Sequence, residues 1–154
     1  MLMIFLMTGC GNSHINKKHE LIIGLDDNYA PFGFRDEKGE LVGFDIDLAE
    51  EVAVRMGTQI SFKPIDWKDK YLELNSGKID IIWSGFNITP EREKRILFSK
   101  PYMINRQIIL VAKGNNKGIV SAADLTDKIV GTQLGSPADG FIRQNDKLKK
   151  VLQS

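Results

Sequence analysis

The sequence IDIIWSGFNITPEREKRILFS, residues 79–99, contains a complete passage from a buried strand into a helix. Residues 79–83 are mostly apolar and predict a strand. Thr89 can cap a helix that begins at Pro90, because the first helical turn does not need the N–H that proline lacks. The polar loop SGFN, residues 84–87, lies between them. Strand, loop and helix in this order form the repeating unit of an α/β fold.

The same alternation extends to both sides of this segment. Short apolar runs bounded by turn residues predict further strands at residues 21–25, 59–63, 107–113 and 129–133. Helical periodicity and breaker residues predict helices at residues 45–56, 68–76 and 122–125, and from Ser136-Pro137 onward. Asp45 is expected to cap the first of these helices and Gly57 to end it. Two alternating arms around Asp36-Glu37-Lys38-Gly39 predict a hairpin over residues 32–44. We therefore predict an α/β fold with a largely parallel sheet.

The first twenty residues differ in character from the rest. Residues 1–7, MLMIFLM, are wholly apolar, and small residues then lead to Cys10, the one cysteine of the chain. This order resembles a bacterial lipoprotein signal, in which Cys10 would carry the lipid anchor. A frayed apolar terminus with an incidental thiol is the alternative. The polar residues 11–20 are expected to form a tether.

Composition and motifs argue against several functional classes. The net charge is +1, from 21 basic and 20 acidic residues without a basic cluster, so nucleic acid is not an expected partner. Both histidines, His14 and His19, lie in the predicted tether, so no catalytic triad and no metal site are expected. The sequence contains no phosphate-binding glycine loop of the G-x-x-x-x-G-K-[ST] type. We predict that the chain is not an enzyme and needs no cofactor.

Polar residues follow two of the predicted strands. Ser84, Gly85 and Asn87 follow the strand at residues 79–83, and Arg92 lies in the first turn of the next helix. Because ligands of open α/β sheets bind beyond the carboxyl ends of strands, Arg92 can reach back to hold a small carboxylate with two parallel hydrogen bonds. The alternative is a surface arginine that pairs with nearby glutamates.

The loop after the first predicted strand has the same layout. Asp26 and Asp27 can receive a cationic or amide-bearing part of a ligand, and Tyr29 can stack on it. Ordinary turn chemistry explains the Asp-Asp-Asn sequence equally well, and the alternative for Tyr29 and Trp67 is a place in the core.

Considered together, these segments resemble a known family. Four motifs occur in the same order as in the bacterial extracellular solute-binding proteins of the polar amino-acid family, family 3, which serve ABC transporters: LIIGLDDNYAPFGF (21–34), GELVGFDIDLAEEVA (39–53), GKIDIIWSGFNITPEREKRILFSKPY (77–102) and IVGTQLGSPAD (129–139). The resemblance implies a two-lobe fold of the periplasmic-binding-protein type II, with the first lobe nearly complete and the second partial. It places the first lobe at residues 21–110, the hinge and turn at 111–118 and the partial second lobe at 119–154.

The resemblance also implies roles for individual residues. Arg92 would hold the α-carboxylate of an amino acid, while Ser84, Gly85 and Asn87 would bind its head group. Asp26, Tyr29 and Trp67 would contact the ligand side chain, and Ser136 would open the second-lobe helix that also binds the carboxylate. Pro137 departs from the family, which often has Thr there, and a proline has no N–H to donate.

The implied partners are a polar amino acid, a membrane permease of an ABC transporter, and the membrane itself through the lipid on Cys10. The protein is expected to be an extracytoplasmic, lipid-anchored monomer. The chain ends before the second-lobe acidic residue that the family uses for the ligand ammonium. We therefore expect a truncated sequence that binds weakly or not at all alone, whereas a full-length version would bind well. A sensory ligand-binding module and a non-functional fragment are the alternative readings.

Overall fold

The computed structural model describes residues 20–114, 117–145 and 148. The predicted signal segment, the tether and Cys10 lie outside the described residues. Six strands are described: β1 Glu20–Leu25, β2 Asn28–Tyr29, β3 Gly33–Arg35, β4 Leu41–Val42, β5 Gln59–Pro64 and β6 Ile81–Ile82. The α-helices of this part of the chain are α1 Phe44–Met56, α2 Lys70–Asn75, α3 Pro90–Glu93 and α4 Pro137–Gln144, and single 3₁₀ turns occur at Trp67–Asp69 and Ala122–Leu125.

The main sheet is parallel, as predicted, with β1 between β5 and β6. Its central strand is buried on both faces at its carboxyl end, where Ile23 and Leu25 pack in the core. Ile79 and the apolar residues of α1, Ile46 and Ala49, complete this core. The carboxyl ends of β1 and β6 therefore lie side by side on a firmly packed base.

The predicted hairpin is confirmed as a small antiparallel sheet of β2, β3 and β4. Phe34 pairs with Val42, and the turn closes through the N–H of Gly39, which donates to the carbonyl of Asp36 at 3.0 Å. The helix α1 follows directly and ends at Gly57, whose left-handed backbone, φ 62°, is the predicted stop.

The predicted capping role of Asp45 is wrong. The helix α1 begins one residue earlier, at Phe44, and Gly43 occupies the cap position without a side-chain hydrogen bond. Asp45 is 2% exposed, and its carboxylate faces the loop after β6 instead of the helix terminus. An acidic residue at the start of a predicted helix matches the capping pattern. In the structure, the carboxylate of Asp45 instead accepts a hydrogen bond from the distant Gly85.

Two predicted strands, residues 107–113 and 129–133, have no strand geometry. Most of their apolar side chains are exposed, with Ile108 at 75% and Leu110 at 84%, whereas Val130 is half-buried. A strand exists only through hydrogen bonds to a neighbour, and within the described residues no other segment pairs with either stretch. The apolar composition of a segment does not show whether a neighbouring strand pairs with it.

The residues after Gly118 form a small unit of their own. The predicted helical piece at 122–125 is a 3₁₀ turn with a capping box between Ser121 and Asp124. The predicted helix start at Ser136-Pro137 is confirmed, because the Ser136 hydroxyl accepts from the N–H of Asp139 at 3.1 Å. Only a minor core forms in this part of the described chain, from Leu125, Ile142 and Leu148 with Ile119 and Val130 against it.

No helix in the described ranges is both long enough and apolar enough to cross a lipid bilayer.

Candidate functional site

A cavity of about 220 Å³ lies at the carboxyl ends of β1 and β6. Its position agrees with the general rule that ligands of α/β sheets bind outside these strand ends. All eight residues predicted from the sequence for the site line it, together with four others: Asp26, Tyr29, Trp67, Ser84, Gly85, Asn87, Arg92, Ser136, Gln107, Thr132, Gln133 and Pro137. The fold therefore gathers the predicted residues in one place, although they come from segments far apart in sequence.

Arg92 contributes the cation of the cavity. Thr89 caps α3 by accepting from the N–H of Arg92 at 3.3 Å, which places the guanidinium at the start of the helix. The side chain is 7% exposed, and its plane lies over the Phe86 ring, 4.2 Å from the ring centroid. Arg92 is therefore a buried residue of the site and not the surface arginine of the alternative reading.

The hydrogen bonds of Arg92 go to backbone oxygens. Nη1 donates to the carbonyl of Asn87 and Nη2 to the carbonyl of Gly135, both at 3.0 Å. Burial lowers the pKa of the guanidinium, and the hydroxyl of Tyr71 opposes that change. Across the described chain no carboxylate forms an ion pair with Arg92. An arginine remains charged under these conditions, so this site offers a positive charge without a protein counter-ion.

Ser84 joins the two strand ends beneath the cavity. Its hydroxyl accepts from the N–H of Asp26 at 3.1 Å, and its side chain is buried. The first residue after β1 is thereby held against the loop after β6. The Asp26 carboxylate lines the cavity, and its Oδ1 accepts from the N–H of Asn28 at 3.0 Å.

Gly85 has a backbone conformation that favours glycine, with φ +54°. A Cβ at this position would come 2.7 Å from Cε1 of Tyr29, so the loop can approach the tyrosine ring only without a side chain. The N–H of Gly85 donates to Oδ2 of Asp45 at 2.5 Å. This hydrogen bond holds the loop against the start of α1, and the sequence, in which Asp45 has the pattern of a helix cap, does not predict it.

Tyr102 supports the same carboxylate. Its hydroxyl donates to Oδ1 of Asp45 at 2.8 Å. Burial raises the pKa of the Tyr102 hydroxyl well above its usual value, and the hydrogen bond and negative charge of Asp45 raise it further. The tyrosine thus remains a proton donor, and both oxygens of Asp45 have a donor.

Aromatic rings form much of the surroundings. Trp67 meets the Phe86 ring edge to face at 5.4 Å, and Phe86 stacks on Phe98 at 5.6 Å. Tyr29 stacks on Phe32 at 5.1 Å. Charges inside such a wall are screened less than in water, so polar contacts in the cavity are strengthened.

The far wall comes from residues after Gly118. Gln133 Nε2 donates to Oδ2 of Asp26 at 2.6 Å, and Ser136 stands beside Thr132, with their hydroxyl oxygens 3.2 Å apart. Pro137 also lines the wall but offers no N–H. Gln107, Thr132 and Gln133 also line the cavity, although they were not predicted from the sequence as site residues. Gln133 ends a predicted strand, so the strand-end rule could have found it, whereas no sequence signal marks Gln107.

Comparison with known proteins gives a consistent assignment. The family model described as bacterial extracellular solute-binding proteins, family 3, matches residues 21–154. The L-cystine-binding protein TcyJ of Escherichia coli (strain K12) is 37% identical over 131 residues, 85% of this chain and 49% of that protein. The arginine-binding extracellular protein ArtP of Bacillus subtilis (strain 168) is 37% identical over 135 residues, 86% of this chain and 52% of that protein. The chain thus spans about half the length of these curated relatives.

A solved structure, an ancestral arginine-binding protein bound to arginine, superposes with a TM-score of 0.82 at 44% identity, covering 88% of this chain and 60% of that one. The fold is that of the type II periplasmic binding proteins, with a partial second lobe, as the sequence motifs implied. The prediction that the chain is not an enzyme agrees with a family whose members bind solutes. By the match over residues 21–154, the chain belongs to the bacterial extracellular solute-binding proteins, family 3.

Proposed function

We propose that this protein binds a polar amino acid outside the cell and passes it to the permease of an ABC transporter. The relatives named for cystine and arginine binding support the ligand class. The observation that carries the proposal is Arg92, which is buried beside the cavity and has no carboxylate partner within the described residues. The α-carboxylate of an amino acid would supply that partner through charge-assisted hydrogen bonds.

The remaining residues suit the other parts of such a ligand. The loop of Ser84, Gly85 and Asn87 would bind the head group, because its hydroxyl, amide and backbone groups line the cavity beside Arg92. Asp26, Tyr29 and Trp67 would contact the ligand side chain through one carboxylate and two rings. A volume of about 220 Å³ suits a ligand smaller than a drug, for which pockets start at roughly 300 Å³.

Ligand capture would work by closure of two lobes, residues 21–110 and 119–154, about a hinge at 111–118. Two hydrogen bonds join the two walls of the cavity, since Gln133 donates to Asp26 and Arg92 donates to the carbonyl of Gly135. A ligand that touches both walls would favour this closed arrangement over an open one. Ser136 would face the ligand from the second wall.

Delivery to a permease and attachment to the membrane through a lipid on Cys10 complete the proposal. Both follow from the resemblance to the family and to a lipoprotein signal. Mass spectrometry of the protein purified from bacterial membranes would test the anchor, since a diacylated or triacylated Cys10 at the N-terminus is expected.

Binding of a panel of amino acids to Arg92→Gln tests the central claim. Calorimetry with cystine, arginine, histidine and glutamine, up to millimolar concentrations, should identify a ligand for the unmodified chain. Arg92→Gln should then weaken binding by about 2–5 kcal/mol, because it removes one partner of a buried charge pair. Arg55→Gln, an exposed arginine paired with Glu51 on α1, is the matched control. Equal affinity of both variants would refute the role of Arg92.

A further inference from the structure

A second and larger concavity, of about 870 Å³, adjoins the amino-acid cavity and shares Arg92, Ser136 and Pro137 with it. One side consists of residues near α2 and α3, and the other consists of residues of α4. Five cations line it: Lys68, Lys70, Arg92, Lys94 and Arg95. We call this feature the basic groove.

The acidic residues of the basic groove do not balance these charges. Among the residues that the structure describes, two carboxylates line it, Glu91 and Asp139, and both already have donors. Asp139 accepts from Arg143 Nε at 2.8 Å and from the N–H of Gly135 at 2.9 Å. Glu91 accepts from Gln144 Nε2 at 2.8 Å. The groove therefore has an excess of positive charge.

Three of its cations have no ion pair with any described carboxylate. Lys68 pairs with Asp66 at 2.8 Å, and Arg92 lines the amino-acid cavity. Lys70, Lys94 and Arg95 have no carboxylate partner in the ranges that the structure describes. The guanidinium of Arg95 lies over the Tyr71 ring, 5.4 Å from its centroid. Lys94 and Arg95 are exposed at the surface of the groove.

Lys70 is the unusual member of this group because it is 2% exposed. Its ammonium donates to the carbonyl of Trp67 at 2.8 Å and lies about 5 Å from the centroids of the Trp67 and Tyr71 rings. Burial and the nearby positive charges of Arg92 and Arg95 together lower the pKa of Lys70 to about 8, while the negative charge of Asp139 opposes them. Positive charges thus outweigh negative ones around Lys70 in the described part of the groove wall.

We propose that the basic groove docks an acidic polypeptide segment of a partner protein, whose carboxylates pair with Lys94 and Arg95 beside the buried Lys70. Complementary charge is the basis for recognition, since a concave site lined by one sign concentrates its field on a partner of the other sign. The groove is too large for a single phosphate ion to fill. A single polypeptide segment fits between the two walls of the groove. A flat lipid surface cannot enter such a concavity.

Fluorescence anisotropy with a labelled hexaglutamate peptide tests this docking on the full chain, without any amino-acid ligand, so the result is independent of the proposed function. Binding is expected at low salt and should weaken as salt is raised. Lys94→Gln/Arg95→Gln should weaken it about threefold to tenfold, and the charge-reversed pair Lys94→Glu/Arg95→Glu should abolish it. A hexalysine peptide should not bind.

The matched control is Lys38→Gln/Lys128→Gln, which changes the net charge equally at two exposed lysines outside the groove. It should leave hexaglutamate binding unchanged. The proposal is overturned if hexaglutamate does not bind, if the control pair weakens binding as much as the groove pair, or if equimolar inorganic phosphate displaces the peptide. Thermal melts of all variants establish that they remain folded.

Discussion

Asp45 and Gly85, forty residues apart in sequence, are joined by a hydrogen bond of 2.5 Å from the backbone N–H of Gly85 to the buried carboxylate. The other oxygen of Asp45 accepts from the Tyr102 hydroxyl at 2.8 Å. The start of α1 is thereby tied to the loop that lines the cavity. Asp45 does not line the cavity, but its hydrogen bond positions Gly85, which does.

Asp45→Asn should lower the free energy of unfolding by about 1.5–3 kcal/mol, the usual contribution of a hydrogen bond to a charged group. An amide has one acceptor oxygen and one donor nitrogen, so one of the two donors now facing Asp45 would meet an N–H group. Urea denaturation measures the effect. Asp47→Asn, an exposed aspartate in the same helical turn, is the control and should change stability by less than about 0.5 kcal/mol.

Gly85→Ala should reduce both the free energy of unfolding and the affinity for an amino acid. The added Cβ would clash with Tyr29, and alanine is strained at the positive φ of this position. The new Cβ would lie 2.7 Å from the Tyr29 ring, so either the loop or the ring must move out of the cavity wall. Gly39→Ala isolates the strain, since its φ is +81° and nothing lies within 4 Å of the added carbon. We expect Gly39→Ala to destabilise by about 1 kcal/mol and Gly85→Ala by more than that. Equal losses in urea denaturation, with unchanged ligand affinity, would contradict the clash.

The sequence allowed the first half of the fold to be predicted because its signals are local. The cap at Thr89, the stop at Gly57 and the turn at Gly39 depend on residues within one turn of themselves, and the structure has all three. The strand at residues 21–25 was also predictable, since a short apolar run between polar segments suits a strand buried on both faces.

Features that depend on distant partners could not be predicted. Asp45 has the pattern of a cap, and only the approach of the loop at Gly85 shows where its oxygens point. The apolar run at residues 107–113 predicts a strand, yet strand formation requires a neighbour that no local pattern supplies. For the site, the strand-end rule and the family motifs together located eight residues of the cavity, whereas Gln107 lines it through tertiary contact alone.

Gln133→Ala should loosen the contact between the two walls of the cavity. It removes the 2.6 Å hydrogen bond to Asp26, which joins residues 107 positions apart. Because both groups are exposed, we expect a loss of only about 0.5–1 kcal/mol, equivalent to roughly twofold to fivefold faster amide exchange at residues 132–140 if this segment opens locally. Hydrogen exchange measured by NMR checks this. Gln59→Ala, an exposed glutamine in β5, should leave exchange in that segment unchanged.

Lys70→Met should remove a pH dependence of stability that the unmodified protein shows in alkaline solution. The folded-state pKa of Lys70 is about 8, lowered by burial from its ordinary 10.5. Between these two values the unfolded chain holds a proton on Lys70 that the folded chain has released, so stability rises with pH across this window. The full gain is no more than about 3–4 kcal/mol, since each pKa unit corresponds to 1.36 kcal/mol.

Urea denaturation at pH 7.5, 8.5, 9.5 and 10.5 would measure this gain as the difference between the unmodified protein and Lys70→Met. Taking the difference removes contributions from ionisable groups that both proteins share. The unmodified protein should gain stability relative to the variant as pH rises, because its buried ammonium becomes neutral in the folded state. Lys38→Met, at an exposed turn lysine, should show a constant difference. A constant difference for Lys70→Met as well would mean that Lys70 is solvated in solution, and the positive potential assigned to the basic groove would then be smaller than the structure implies.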